Sequence, residues 1–193
     1  MSVKDFVQQR RDEFIAMRRD FHMYPEPAWL EYRSATKVAE KLIALGYDVA
    51  LGAEVLDLDS RMGLPSEDVM KAAMARAMDE GADPELVEKM GYGKTAIVAT
   101  MKFSDDGPVV AFRADMDSND VIESKASNHI PAKEGFRSRH DKAMHACGHD
   151  THMTMGLGLA EYIATHKDGL KGTIKLIFQP AEEGVRGAKA MVE

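Results

Sequence analysis

The stretch Val109-Val110-Ala111-Phe112-Arg113-Ala114-Asp115-Met116-Asp117 runs as an apolar, branched strand straight into two acids two residues apart. Carboxylates at the C-terminal end of a strand stand where open α/β sheets place their ligands. Just upstream, Thr95 to Met101 alternates and is rich in branched residues, with the turn signal Ser104-Asp105-Asp106-Gly107-Pro108 between the two runs. Together they predict a β-hairpin. Downstream, Gly172 to Phe178 reads as a further strand, followed at once by Gln179-Pro180-Ala181-Glu182-Glu183. Between the two acid-tipped strands, Leu157, Leu159, Ala160 and Ile163 give Met153 to Thr165 a helical pattern that ends at Asp168-Gly169. Strands alternating with helices predict the α/β class.

Towards the N-terminus, Val7, Phe14, Met17 and Phe21 recur at helical spacing from Lys4 to Met23, and Pro25 and Pro27 stop the helix. A second helix is expected from Ser34, as N-cap, through Val38, Leu42 and Leu45 to Gly46, with a strand from Tyr47 to Leu51. Residues 60–92 read as an inserted helical excursion, with one helix from Glu67 to Glu80 and a short one from Pro84 to Met90. Ser118 to Lys142 is polar and weakly periodic, so it reads as a long loop of the kind that often carries function. Helical character resumes from Gly187 to Val192.

A chain of 193 residues with 45% hydrophobic content can build a core. It has no apolar run long enough for a membrane span, and Met1 to Phe6 lacks the pattern of a signal peptide, so a cytoplasmic protein without a membrane partner is expected. The single cysteine, Cys147, cannot form an intrachain disulfide, which leaves it for metal or thiol chemistry. A formal charge of -7 and the absence of a basic tract argue against nucleic acid as a partner. The 14 methionines fall mostly at apolar positions of helices and strands, where they fill gaps in a core.

The chemistry concentrates in three clusters: Asp115 with Asp117, Cys147 with His149 and Asp150, and Glu182 with Glu183. Thiolate, imidazole and carboxylate are transition-metal ligands, and Gly148 allows the tight turn that lets Cys147 and His149 converge. Two neighbouring glutamates serve a metallohydrolase when one ligates the metal and the other takes a proton from the metal's water. Taken singly, each cluster has a plainer explanation, such as a solvated helix start for Glu182-Glu183 or a cap for Asp115 and Asp117. Their conjunction at strand ends favours the metal site. His145 and His152 flank the cysteine turn as packing or outer-shell residues.

Three blocks resemble the signatures of the M20 metallopeptidase family, in its amidohydrolase (M20D) branch. They are Phe112-Arg113-Ala114-Asp115-Met116-Asp117, Met144-His145-Ala146-Cys147-Gly148-His149-Asp150 and Leu176-Ile177-Phe178-Gln179-Pro180-Ala181-Glu182-Glu183. Arg18-Arg19-Asp20-Phe21-His22-Met23-Tyr24-Pro25-Glu26 is similar to the usual opening of that branch. Within the branch, Ser60 to Pro65 and Glu183 to Met191 look most like the p-aminobenzoyl-glutamate hydrolase group.

The resemblance implies a three-layer α/β/α sandwich with a mixed central sheet, of which residues 1–193 form the first half of a catalytic domain. The lid or dimerisation domain and the C-terminal half would lie outside it. It implies two divalent ions, manganese or zinc, with Cys147, His149 and Glu183 as ligands. Glu182 is then the general base and Asp117 the acid that orients a ligand, while Asp115, His145, Asp150 and His152 stand behind them. The implied reaction cleaves the amide of a small N-acyl amino acid, p-aminobenzoyl-glutamate-like, by hydroxide held between the ions, in a homo- or hetero-oligomer. The chain alone is expected to be inactive and either to self-associate or to be marginally stable. Thr151, Met153 and Ser118-Asn119 depart from the usual residues beside the site. Two rival readings are a non-catalytic binding subunit or remnant that keeps the fold, and a thiol-dependent redox protein using Cys147.

Overall fold

In the computed structural model, which describes residues 1–192, the strand from Val109 does not fold back on its predecessor. The four strands are β1 (Asp48–Leu51), β2 (Ile97–Lys102), β3 (Val109–Asp115) and β4 (Thr173–Gln179), in the order β1-β2-β4-β3. β1 and β2 pair antiparallel, β2 and β4 pair antiparallel, and β3 runs parallel to β4. The sheet is therefore mixed and the fold α/β, as expected, but the hairpin is not formed. β4 takes the place between β2 and β3. Two glycines let the chain cross there: a Cβ on Gly172 would lie 2.2 Å from the Pro108 carbonyl oxygen, and one on Gly107 would lie 2.9 Å from the Gly172 nitrogen. Phe103 N–H donates to Gly172 O and Thr173 N–H donates to Pro108 O, so the turn after β2 pairs with the start of β4.

The helices are α1 (Val3–Gln9), α2 (Arg11–Met23), α3 (Tyr32–Ala44), α4 (Glu67–Asp79), α5 (Pro84–Lys89), α6 (Ile130–Lys133), α7 (His149–Thr165) and α8 (Ala188–Val192). α7 packs on β3 and β4, α2 packs on α7, and α3 touches β1, β2 and α7. Ile97, Ala99, Ile174, Leu176 and Phe178 of the sheet meet Val38, Leu42, Met153, Leu157 and Ala160 of these helices in the main core. Alternate residues of β2 and β4 point there because side chains change face at every step along a strand.

Helix boundaries differ from the sequence expectation in several places: α7 begins at His149, four residues before the expected Met153, and α6 lies within the stretch from Ser118 to Lys142 that reads as a loop. The first helix breaks at Arg10 (φ -96°, ψ 6°), which lets α1 turn Phe6 onto Phe14, Tyr162 and His166, with ring centroids 6.1, 5.2 and 6.0 Å apart. Ser34 is not an N-cap. It lies inside α3, and the buried carboxylate of Glu26 accepts the N–H groups of Arg33 (2.9 Å) and Ser34 (2.8 Å). A cap supplied from seven residues upstream leaves no local signal of the Ser-x-x-Glu kind.

α4 and α5 pack against α3, where Met70, Ala73, Met74, Ala77 and Val87 close over Leu30 and Tyr32. The extended segment before α4 is pinned by the Trp29 indole, which donates to Met62 O at 2.8 Å. Among the described residues, no helix is long and apolar enough to cross a membrane.

The strand order assigns different weights to two apolar residues. Leu176→Ala, on the central β4 and 1% exposed, is expected to cost roughly 2–5 kcal/mol. Val110→Ala, on the free β3 edge and 43% exposed, should cost less than about 1 kcal/mol. Urea denaturation of both variants checks the pair, and equal losses would contradict the central place of β4.

Candidate metal centre

Because β3 and β4 are parallel neighbours in register at Asp115 and Gln179, their C-terminal ends deliver Asp117 and Glu182-Glu183 to one edge of the sheet. α7 begins at His149 beside them, after Gly148 turns the chain with φ 86°. Asp117, fully buried, joins all three segments. Its carboxylate accepts the N–H of Glu182 through one oxygen and of Glu183 through the other, both at 2.9 Å. Its backbone carbonyl accepts Nδ1–H of His149 at 2.8 Å.

That hydrogen bond orients the His149 ring and turns its Nε2 inward. Nε2 lies 3.5 Å from Asp115 Oδ1, 3.7 Å from Glu182 Oε2 and 3.9 Å from Glu183 Oε1. Burial works against charge on this ring, yet its hydrogen bonds to Asp117 and the nearby charges of Asp115 and Asp117 outweigh that and push its pKa up to about 9. Oε1 of Glu183 is buried and has no hydrogen-bond partner. A buried carboxylate oxygen with no donor, facing an oriented imidazole nitrogen, is the donor set a divalent cation completes. His149, Glu182 and Glu183 offer ligand atoms within 4.8 Å of one another, and so do Asp115, His149 and His152.

Cys147 joins neither group, although it is exposed at the rim. Its thiol shares a hydrogen bond with Glu183, which pushes the pKa up, while Asn119 Nδ2 donates to its sulfur at 3.5 Å and pulls the other way. Asn119 Oδ1 also accepts the N–H groups of Ala146 (3.1 Å) and Cys147 (3.2 Å). The sequence marked Asn119 only as a departure; here it clamps the cysteine turn.

Asp115 ties β3 to α7. It accepts Nδ1–H of His152 at 2.5 Å and Arg113 Nη2–H at 2.8 Å. Burial raises its pKa, but these partners together with His149 bring it below the usual carboxylate value. The His152 ring stacks on His149 with centroids 5.5 Å apart. Asp150 points away from the centre, into the fold. It accepts Nδ1–H of His22 (2.7 Å) and Nε–H of Arg18 (2.9 Å). The other ring nitrogen of His22 lies 3.0 Å from Glu123 Oε1, so the ring is held between two buried carboxylates. Burial alone would lower its pKa, and the two acids raise it instead. His145 is buried with no partner on either ring nitrogen, and desolvation pushes its pKa down to about 4.

Glu31, which the sequence did not single out, supports the Glu182 turn from below. Its carboxyl accepts Ala181 N–H at 2.8 Å and the Thr95 hydroxyl at 2.6 Å, holding Ala181 at φ 51°. Behind that turn, a Cβ on Gly187 would lie 1.8 Å from Pro180 O, so only glycine fits. The only sequence clue to Glu31 is an acid set between Leu30 and Tyr32, both of which are buried.

Burial and the charge of Asp117 push the Glu31 pKa from 4.5 up to about 8. Between those values the folded chain holds a proton that the unfolded chain has lost, so stability falls as pH rises across the window and levels off above it. Glu31→Gln keeps an acceptor for Ala181 N–H and offers N–H to Thr95. It is expected to flatten this slope in urea denaturations run with a chelator across roughly pH 5 to 9. An unchanged slope would mean that Glu31 is ionised in the folded protein.

Comparison with known proteins agrees with this geometry. The sequence profile of Peptidase family M20/M25/M40 matches residues 111–193. Over 190 residues, 98% of this chain, it is 48% identical to indole-3-acetyl-aspartic acid hydrolase of Enterobacter agglomerans and covers 44% of that protein. It is 48% identical over 192 residues, 100% of this chain, to one of the named subunits of p-aminobenzoyl-glutamate hydrolase of Escherichia coli K12, again covering 44% of the relative. The chain thus spans less than half the length of these two curated relatives. Its fold matches the crystal structure of an aminobenzoyl-glutamate utilization protein from Klebsiella pneumoniae with a TM-score of 0.82 and 40% identity, over 100% of this chain and 42% of that one. It also matches Bacillus subtilis YXEP, described as a dinuclear metal binding peptidase, with a TM-score of 0.62 and 28% identity over 95% of this chain and 38% of that one. Residues 111–193 thus carry the profile of peptidase family M20, and both of these alignments to hydrolases run nearly the whole length of this chain.

Proposed function

We propose that this chain carries the metal-holding and proton-accepting residues of an amidohydrolase that cleaves N-acyl amino acids of the p-aminobenzoyl-glutamate kind. The observation that carries the reading is the knot at Asp117, which aims His149 Nε2 at Glu182 and Glu183 and leaves a buried Glu183 oxygen without a partner. Two relatives are named for hydrolysing an acyl group joined to aspartic or glutamic acid, which supports that substrate class. A relative described as a dinuclear metal binding peptidase supports a pair of metal ions, which this reading takes to be divalent manganese or zinc. The Escherichia coli relative is named as one subunit of its hydrolase, which supports work in an oligomer. The expected place of action is the cytoplasm.

In this reading His149, Glu183 and Cys147 hold metal. When bound, the ions polarise the amide carbonyl and make the attacking water more acidic. Glu182 takes a proton from that water and returns it to the leaving amine nitrogen, a role open to a carboxylate near neutral pH. Asp117 does not touch the reacting atoms. By holding the N–H groups of both glutamates it keeps the base and the ligand from exchanging places. Asp115 and His152 brace His149 from the side, and Asp150 anchors the first turn of α7 through His22 and Arg18.

The roles of the two neighbouring glutamates and of the cysteine separate experimentally. In the metal-loaded full-length protein, Glu182→Gln is expected to lower kcat by roughly 100- to 10,000-fold while metal content stays unchanged. Cys147→Ser should lower metal content and require more added metal for turnover. Elemental analysis beside p-aminobenzoyl-glutamate hydrolysis reads both effects. Full turnover by the Glu182→Gln protein would remove the glutamate from its role as base.

A further inference from the structure

Two stretches far apart in the sequence, Ser60 to Pro65 and Glu183 to Met191, meet in the structure through one side chain. We propose that Arg186 is a substrate-binding residue that takes a carboxylate of the amino-acid half of the substrate; this rests on the amidohydrolase reading above.

Arg186 sits on the turn that follows Glu183, closed by hydrogen bonds from Arg186 N–H (3.1 Å) and Gly187 N–H (2.9 Å) to Ala181 O. Its side chain lies against two glycines. A Cβ on Gly63 would come within 3.2 Å of Arg186 Cδ and 3.3 Å of Nε, and a Cβ on Gly184 would lie 3.0 Å from Nε and 3.4 Å from Nη2. Both glycines have positive φ, 65° and 83°, so each is doubly suited to its place. The Gly63 wall is itself fixed. Trp29 holds the carbonyl of Met62, and Arg61 donates to the carbonyls of Tyr92 (2.7 Å) and Gly93 (3.2 Å).

Among the described residues the guanidinium so placed has no acid of its own. Arg18 is paired with Asp150, Arg19 with Glu134, Arg33 with Asp20 and Arg113 with Asp115. Among the described residues Arg186 makes no ion pair, although the chain carries a net charge of -7 and two glutamates stand three and four residues before it. An exposed arginine would ordinarily swing to a neighbouring carboxylate. Packing against Gly63 and Gly184 instead leaves a fork of N–H donors beside the turn that carries Glu182 and Glu183.

A substrate with free carboxylates approaching Glu182 and Glu183 meets like charge. One guanidinium offsets that repulsion and supplies the bidentate geometry a carboxylate accepts. Val185 just before it has φ 59° and a branched side chain 82% exposed, an unfavourable backbone conformation kept in place by the hydrogen bonds from Val185 N–H to Glu182 O and from Arg186 and Gly187 N–H to Ala181 O. The helical excursion over residues 60–92 then has a task at the site, since it supplies the surface that orients the substrate-reading arginine.

The test compares wild-type full-length protein with Arg186→Ala and Arg186→Lys on p-aminobenzoyl-glutamate and on the two analogues in which the α- or γ-carboxylate is a carboxamide. Loss of a charge-assisted bidentate contact should lower kcat/KM on p-aminobenzoyl-glutamate by about 10- to 100-fold, chiefly through KM. It should also shrink the wild-type preference over one of the two carboxamides by the same factor, with the lysine variant in between. Gly63→Ala, far away in sequence, should reproduce part of that shrinkage, since its methyl would take the space of Cδ and Nε. Equal losses on all three substrates, or none, would overturn the proposal. If wild-type protein cleaves none of them, the amidohydrolase reading fails by itself. Calorimetric titration with p-aminobenzoyl-glutamate then decides about Arg186: binding at least about tenfold weaker in Arg186→Ala upholds the subsite, and equal or absent binding in both proteins rejects it.

Discussion

The buried carboxylate of Asp117 accepts the backbone N–H groups of Glu182 and Glu183 while its own carbonyl accepts the imidazole N–H of His149. A single residue at the end of β3 thereby fixes the turn after β4 and the start of α7. Hydrogen bonds to a charged acceptor in a desolvated place are strong, and leaving such an acceptor unmet is costly. If the N–H groups of Glu182 and Glu183 moved away, the charge of Asp117 would be buried alone. The geometry of the centre is therefore held by an electrostatic requirement as well as by packing.

Around this knot the protein buries further acids, and each is met by donors from distant segments. Glu26 caps α3, Glu31 supports Ala181, Glu123 receives His22, His129 and Ser138 N–H, and Asp150 receives His22 and Arg18. His22 tightens the arrangement most, because its two nitrogens join the long loop through Glu123 to α7 through Asp150. Such networks specify one arrangement, since a shift of any member strands a buried polar group. This firm base lies under the cysteine turn, while Asn119 holds the turn from above.

The helical excursion and the glutamate turn form the opposite wall. Each of these two stretches of chain contributes a glycine with a left-handed backbone, and the Arg186 side chain rests on both. An excursion without acidic or histidine clusters can still shape a site by supplying a backbone surface. Its own small core packs over α3, the Arg61 hydrogen bond to the Tyr92 carbonyl ties its two ends together, and Trp29 holds the Met62 carbonyl.

What the sequence determined by itself was local. Periods of apolar residues identified most helices and every strand, because period records which face is buried. Residue types at strand ends and around Gly148 marked Asp115, Asp117, Cys147, His149, Glu182 and Glu183, because few other needs gather thiol, imidazole and carboxylates so closely. The tertiary structure alone decided which strand lies beside which, and a turn signal followed by a strand was no guide once Gly107 and Gly172 let β4 pass between β2 and β3. It alone gave tasks to His22, Glu26, Glu31 and Asn119, whose partners include residues 128, 8, 150 and 28 positions away. A period or a motif reports the demands a residue places on its neighbours in the chain, whereas a buried charge is satisfied by whatever donor the fold brings to it, and that donor leaves no mark in the local sequence.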